Sequence, residues 1–218
     1  MKLYGYFRSS ASYRVRIALN LKGLAYDSVA VHLVKNGGEQ LSASFRALNP
    51  EALVPALVDE HEGNEMALSQ SLAIIEYLEE KYPASPLLPK NLLDRAHVRA
   101  LALAIACDVH PLSNLRVLKY LTGTLGMSEE QKNTWYQHWC MTGLRALEEK
   151  IAADPRSGKF CYGDTPTLAD CCLVPQIYNA QRFKCDLSSV PQLMRIHQNC
   201  MDLAAFDLAA PANQADAE

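Results

Sequence analysis

The sequence predicts an α/β unit followed by an all-helical one, and three observations predict it. Short aromatic or apolar strands alternate with helices in the order βαβαββα over residues 1–82. A proline-rich stretch at 83–89 then interrupts the pattern. Beyond it only helical periodicity remains. The expected organisation is an α/β domain at 1–82, a linker at 83–89 and a helical domain at 90–218.

Lys2-Leu3-Tyr4-Gly5-Tyr6-Phe7 is a short, aromatic-rich first strand. Ser9, Ser10 and Ser12 follow where hydroxyls cap the first N–H groups of a helix, with Ile17, Ala18 and Leu21 as its apolar stripe. Lys22-Gly23 is a helix stop. Tyr26 to Leu33 reads as a second strand, with Val29 and Val31 on one face, parallel to the first through the intervening helix. A loop at Lys35-Asn36-Gly37-Gly38 leads to a second helix, Glu39 to Leu48, stopped by Asn49-Pro50. Leu53 to Val58 leads into a third strand. His61-Glu62-Gly63-Asn64 turns, and Glu65 to Leu68 returns antiparallel. Ser69-Gln70-Ser71 opens a helix with Ile74, Ile75, Leu78 and Tyr82 on one face.

After the linker, Val98, Leu101, Ala102, Ile105, Val109 and Leu112 form one helical stripe, kinked at Pro111. Met127-Ser128-Glu129-Glu130 starts a helix with Tyr136, Cys140, Leu144, Leu147 and Ile151 facing inward. Thr167-Leu168-Ala169-Asp170 has the spacing of a capping box, a structural device, and Leu168, Cys171, Cys172 and Tyr178 follow it into the core. Leu193, Ile196, His197 and Cys200 form the last stripe. The tail from Pro211 is expected to fray.

Composition narrows the class. About half of the 218 residues are hydrophobic, enough for a substantial core, and a net charge of −3 argues against nucleic-acid binding. No strictly apolar run of membrane-spanning length appears, so no span is expected, and no signal peptide precedes the first strand. Seven cysteines without a Cys-x-x-Cys pair fit reduced thiols in the cytoplasm, and Cys and His do not cluster at zinc-ligand spacing, so no metal is expected.

On pattern alone, the stretch around Ser9 and Ser10 is a capped helix with a basic outer face. It also makes a place for an anion or thiolate, because a helix N-terminus offers free N–H groups and a favourable dipole. Ser9-Ser10-Ala11-Ser12-Tyr13-Arg14-Val15-Arg16-Ile17-Ala18-Leu19 resembles the Ser-Ser-Cys-x-(Trp or His)-Arg-Val-Arg-Ile-Ala-Leu pattern of the zeta-class glutathione transferases, the maleylacetoacetate and maleylpyruvate isomerases. The chain departs from that pattern at Ala11 and Tyr13. The likeness continues through Leu48-Asn49-Pro50, Val54-Pro55-Ala56-Leu57, Gln70 to Glu80 and Gly163 to Asp170, in the family's order.

The resemblance implies a thioredoxin-like first domain, a helical second domain, a homodimer and glutathione as cofactor. It implies that Ser10, with Ser9 and Ser12 as alternates, donates to the glutathione sulfur. A thiol near pKa ~8.5 lowered by about 2 units needs roughly 2.7 kcal/mol of thiolate stabilisation, which a hydroxyl and a helix dipole supply. By the same resemblance, Val54-Pro55 is a cis peptide facing the cysteinyl amide, where sequence alone favours an ordinary trans proline. Gln70 and Ser71 hold the γ-glutamyl group, Lys35 takes the glycyl carboxylate, and His110 and Asn114, one helical turn apart on a shared face, reach glutathione from the second domain.

Arginine suits a dianionic diketo acid substrate. Arg8 lies beside the sulfur site, Arg182 falls in a segment like the family's Glu-Arg-Phe, and Arg116 follows Asn114 on the long helix. Arg14 and Arg16 read as structural and solvent-facing. The implied reaction is thiolate addition to a cis alkene, rotation about the resulting single bond, and elimination, with arginine stabilising the enolate charge. Ala11 is compatible with glutathione as the only nucleophile, whereas a reaction that required a protein cysteine there would be closed to this chain. Related maleylpyruvate isomerases also lack that cysteine, which by resemblance tilts the substrate slightly their way. The alternatives are a transferase conjugating small electrophiles such as α-haloacids, and a non-catalytic module of the same fold.

Overall fold

The computed structural model describes residues 1–218, the side chain of His61 excepted. It divides into two compact units, Met1–Leu87 with Asp202–Glu218, and Leu88–Met201.

The first unit is built on four strands, β1 (Lys2–Gly5), β2 (Asp27–Ala30), β3 (Ala56–His61) and β4 (Asn64–Ser69), in the order β2-β1-β3-β4. β1 pairs parallel to β2 and antiparallel to β3, and β3 and β4 form a hairpin whose turn carries Gly63 at φ 78°. Helices α1 (Ser10–Leu21), α2 (Ala43–Leu48) and α3 (Ser71–Lys81) complete the expected βαβαββα order. The second helix is shorter than the sequence suggests: a 3-10 turn occupies Glu39–Leu41, and Ser42 caps a fresh helix by accepting from Phe45 N. Strand β1 alternates inward so that Leu3 is buried against Leu57, its partner on β3. Tyr6, Phe7, Val31, Phe45, Val54 and Ala56 form a second apolar cluster near the end of β1.

Helix α1 is buried nearly all round, which corrects the solvent-facing reading of its arginines. Arg16 is 3% exposed and donates to the carbonyls of Ala209 (2.9 Å) and Phe7 (2.9 Å). Arg14 is 2% exposed and donates from Nη1 to Ser71 Oγ at 3.3 Å. Arg16 is enclosed because residues 202–218, expected with the helical domain, pack on α1 instead, whereas Arg14 is held against the start of α3. Tyr13 and Asn20 also hydrogen-bond backbone carbonyls of that tail. The tail does not fray: Pro211 is buried, and Asp216 Oδ2 accepts from Phe7 N at 3.0 Å.

Most of the expected linker likewise belongs to the first unit. The Lys22 ammonium, fully enclosed, pairs with Glu79 at 2.7 Å and donates to the carbonyls of Tyr82 and Ser85. Glu79 in turn accepts from Leu87 N. An enclosed ion pair is tolerated only when further hydrogen bonds satisfy it, and these do.

The second unit comprises α4 (Leu92–Leu103), α5 (Leu115–Gly123), α6 (Glu129–Ala153), α7 (Leu168–Arg182) and α8 (Pro191–Met201). The predicted stripe holds as far as Val109, with Val98, Leu101, Ala102, Ile105 and Val109 all buried, while Leu112, beyond Pro111, is only half-buried. Its helix does not continue as one. A wider π-type turn runs Ala104–Val109, where His110 N reaches back to Ile105 O, and a 3-10 turn follows at Pro111–Ser113. Pro111 supplies no N–H to carry the ladder onward.

The stretch Leu92–Gly123 is long and apolar enough, by length and composition, to cross a membrane. The expectation of no such stretch counted strict apolar runs, which isolated polar residues break while the average stays apolar. Here its inward residues are taken up by the core of the unit. Ser128 and Gln131 form a capping box that starts α6, and Thr167 and Asp170 form the one that starts α7. A short helix, α9 (Ala204–Asp207), belongs to the tail in the first unit.

Candidate active site

β1 ends at Gly5, and Tyr6-Phe7-Arg8 carries the chain to the start of α1. Ser9 is the N-cap: extended at φ −69°, ψ 116°, it accepts from Ser12 N through Oγ at 3.2 Å. The hydroxyl accepts as the cap, and its own O–H is still able to donate. Ser10 is the first helical residue and is 5% exposed. Ser12 Oγ is buried with no protein partner. It faces Gly5, where an added Cβ would come within 3.1 Å of it, so the glycine makes room for the hydroxyl. Helix α1 has no acidic residue in its first turn. Its dipole is left to act on whatever stands before it.

Arg8 is half-buried. Its guanidinium donates to Tyr6 Oη from Nε (3.1 Å) and Nη2 (2.6 Å) and lies 4.8 Å from the centre of the Phe7 ring. No carboxylate among the described residues pairs with it.

The Val54–Pro55 peptide is cis, as the resemblance implies. Asn49 holds the approach to it: its Nδ2 donates to Leu53 O at 2.8 Å and its Oδ1 accepts from Glu51 N at 3.2 Å. This gives Leu48-Asn49-Pro50 a positioning role. Gln70 precedes α3 with φ 67°, a left-handed conformation that side chains other than glycine rarely adopt and that clusters at functional sites. Its side chain makes no helix cap and instead donates to the Glu51 carboxylate at 3.0 and 3.2 Å. Ser71, first in α3, accepts from Arg14, so the starts of α1 and α3 are joined through one guanidinium. Arg14 Nε and Nη2 are buried without a protein partner.

Lys35 lies in the loop after β2 and pairs with the carboxylate of Glu218, whose pKa this contact lowers. His32 Nδ1 accepts from the N–H groups of Val34 and Lys35, and its Nε2 stands 3.6 Å from Glu218. Lys35 thus sits where a carboxylate is already held, by the chain's own C-terminal residue.

In the second unit, the shared helical face expected for His110 and Asn114 is not formed. His110 ends the π-type turn, whereas Asn114 is extended (φ −67°, ψ 146°) and caps α5 by accepting from Arg116 N. Pro111 and the turn it starts separate the two. Arg116 is therefore on a short separate helix, and it is exposed. Arg182 is the last residue of α7, exposed, with its guanidinium 5.2 Å from the Phe183 ring centre. Phe183 is fixed by stacking on Tyr136 at 3.6 Å and by Gln137 Nε2 donating to its carbonyl at 2.9 Å.

Sequence reasoning missed Arg14, Tyr6, Glu51, Asp216 and Glu218. Tyr6 and Glu51 lie beside quoted motifs and were open to notice. The two tail acids carried no local signal.

A mixed four-stranded sheet with helices, a cis proline before β3, and an acid-free, serine-lined start to α1 are the features of a glutathione transferase. Residues 3–86 match the family model "Glutathione S-transferase, N-terminal domain". A probable maleylacetoacetate isomerase of Vibrio cholerae is 54% identical over 215 residues, covering 99% of this chain and 97% of the relative. The holo structure of a maleylpyruvate isomerase, described as a bacterial zeta-class glutathione S-transferase, superposes with a TM-score of 0.95 at 49% identity, covering 100% of both chains. A maleylacetoacetate isomerase from Methylobacterium extorquens, with bound malonate and glutathione, superposes with a TM-score of 0.94 at 39% identity, again over 100% of both. The chain belongs to the maleylacetoacetate and maleylpyruvate isomerase family, the zeta class of glutathione transferases.

Proposed function

We propose that this protein is a glutathione-dependent cis–trans isomerase that converts maleylacetoacetate or maleylpyruvate into its fumaryl isomer during aromatic catabolism. The observation that carries this reading is the start of α1: a buried Ser10, a buried Ser12 hydroxyl without a protein partner, and no acid in the first turn. The orphaned nitrogens of Arg14 beside Ser71 fit the same polar, anionic ligand. When bound, glutathione would supply the thiolate nucleophile for addition and later elimination.

The chain's own residues do the rest. Ser10 donates to the anionic sulfur, and the α1 dipole favours the charge. Ser9 keeps the helix start in place. The backbone of Val54, ahead of cis Pro55, receives the cysteinyl amide, while Gln70 and Ser71 hold the γ-glutamyl end and Lys35 the glycyl carboxylate. His110 and Asn114 complete the glutathione contacts from the helical unit. Arg8 and Arg182, which have no carboxylate partner among the described residues, take the substrate's carboxylate and enolate charge, with Arg116 as a further contact. Ala11 leaves glutathione as the sole nucleophile.

We further propose a cytoplasmic homodimer, which light scattering at micromolar concentration tests. A monomer mass would contradict it.

The test of the activity is to mix the protein with each diacid, with and without glutathione, and follow the ultraviolet change. Turnover only with glutathione, and recovery of the free thiol, is the expected result. A stable thioether product would instead indicate a conjugating transferase. Failure to bind immobilised glutathione would indicate a non-catalytic module.

A further inference from the structure

A second sulfur chemistry lies within the helical unit. Cys140 is in the middle of α6 and fully buried, while Cys185, in the turn after α7, is part-exposed. Two contacts set that turn against α6, the Phe183 ring on Tyr136 and Gln137 Nε2 on Phe183 O, while Cys185 N donates to Ala180 O of α7 at 2.9 Å and closes the turn. Lys184, at φ 55°, lets the chain double back. The two thiols are thereby brought within hydrogen-bonding reach of each other. A third group completes the arrangement. Gln176, 1% exposed, donates from Nε2 to Cys140 Sγ at 3.3 Å.

The pair is asymmetric. The contact with Cys140 pulls the Cys185 thiol down, while the contact with Cys185, and then burial, push Cys140 up. The more acidic sulfur is also the more accessible one, which is the combination that makes a cysteine an attacking nucleophile. None of this is used by the proposed isomerisation.

We propose that Cys185 and Cys140 form a redox-active dithiol that reduces glutathione disulfide and closes to an intrachain disulfide. Cys185 thiolate attacks one sulfur of glutathione disulfide, forming a mixed disulfide and expelling one glutathione thiolate. Cys140 then attacks Cys185 Sγ. The bond from Cys185 to glutathione breaks, and the second glutathione leaves. Two protein thiols are oxidised, one glutathione disulfide is reduced to two thiols, and the two protons lost by the cysteines end on those thiols. Gln176 supports the second step by donating to Cys140 as its sulfur becomes anionic. Cys107 is exposed, but no other thiol is shown beside it, so its chemistry stops at a mixed disulfide.

The test uses the reduced 218-residue chain in glutathione mixtures of rising oxidised fraction. Free thiols are trapped with N-ethylmaleimide in denaturant, and the digest is read by mass spectrometry. The expected result is a peptide pair linked Cys140 to Cys185 that grows with the oxidised fraction, with loss of two alkylation sites. Cys140→Ser is expected to stop the reaction at a glutathione adduct on Cys185, and Cys185→Ala to abolish the linked pair. Full alkylation of both residues in the wild-type protein at every ratio would overturn the proposal. So would a persistent Cys185 adduct in the wild-type chain. The readout needs no isomerase turnover, so it stands apart from the test of that activity.

Discussion

Two helices of this protein begin in the same way on paper and differently in space. Helix α7 opens with Thr167 and Asp170, and α1 with Ser9 and Ser12. At α7 every partner is matched. Asp170, fully buried, accepts from Thr167 N (2.8 Å), Thr167 Oγ1 (2.8 Å) and Cys161 N (2.8 Å). At α1 the cap is made, but the first turn has no acid, Ser12 Oγ has no protein partner, and neither do two nitrogens of Arg14. A closed helix start is architecture. An open one, with buried polar atoms left over, is a place for a ligand, because such atoms are costly unless something pairs with them.

Breaking the closed start has the largest expected effect. Asp170→Ala leaves buried donors at residues 161 and 167 without acceptors, at roughly 1–3 kcal/mol each. A stability loss of about 3 kcal/mol or more is expected in denaturant unfolding. Next is Ser10→Ala at the open start. Here kcat/KM is expected to fall about a hundredfold, some 2.7 kcal/mol of transition-state stabilisation, with little change in Tm. Loss of stability with full activity would show that α1 is a structural cap after all.

Arg8→Ala and Arg182→Ala are each expected to raise KM for the diacid about tenfold, roughly 1.4 kcal/mol, with glutathione affinity nearly intact. Equal loss of both affinities would remove these residues from the substrate site.

The smallest effect concerns an exposed ion pair, the counterpart of the buried Asp170 network. Arg156 holds the Asp154 carboxyl down to about 2. A folded-state pKa below the unfolded value gives stability that is whole above pH ~4 and is lost as pH falls through the folded value. The Tm advantage of the native chain over Arg156→Ala is therefore expected to be small, because such pairs are screened, and to close between pH ~4 and about 2.

The same contrast explains what the sequence revealed. The capping box at Thr167 is legible because its partner is three residues on, and the helix start at Ser128 is legible without its partner Gln131. The βαβαββα order and the Val98 stripe were legible for the same reason: periodicity is local. The burial of Arg16 was not, because its acceptors include Ala209, 193 positions away. Nor was the ordered tail, whose acids meet Phe7 N and Lys35 only in the fold. The shared face of His110 and Asn114 requires one helix kinked at Pro111, whereas Pro111 opens a turn that separates two.

The most direct test of the open start at α1 is a pH titration of the thiolate absorbance of bound glutathione, in the native protein and in Ser10→Ala. The account predicts a bound-thiol pKa about 2 units below the free value of ~8.5, moving back toward it in the variant. A native complex that titrates like free glutathione, or a variant that titrates like the native complex, would contradict it.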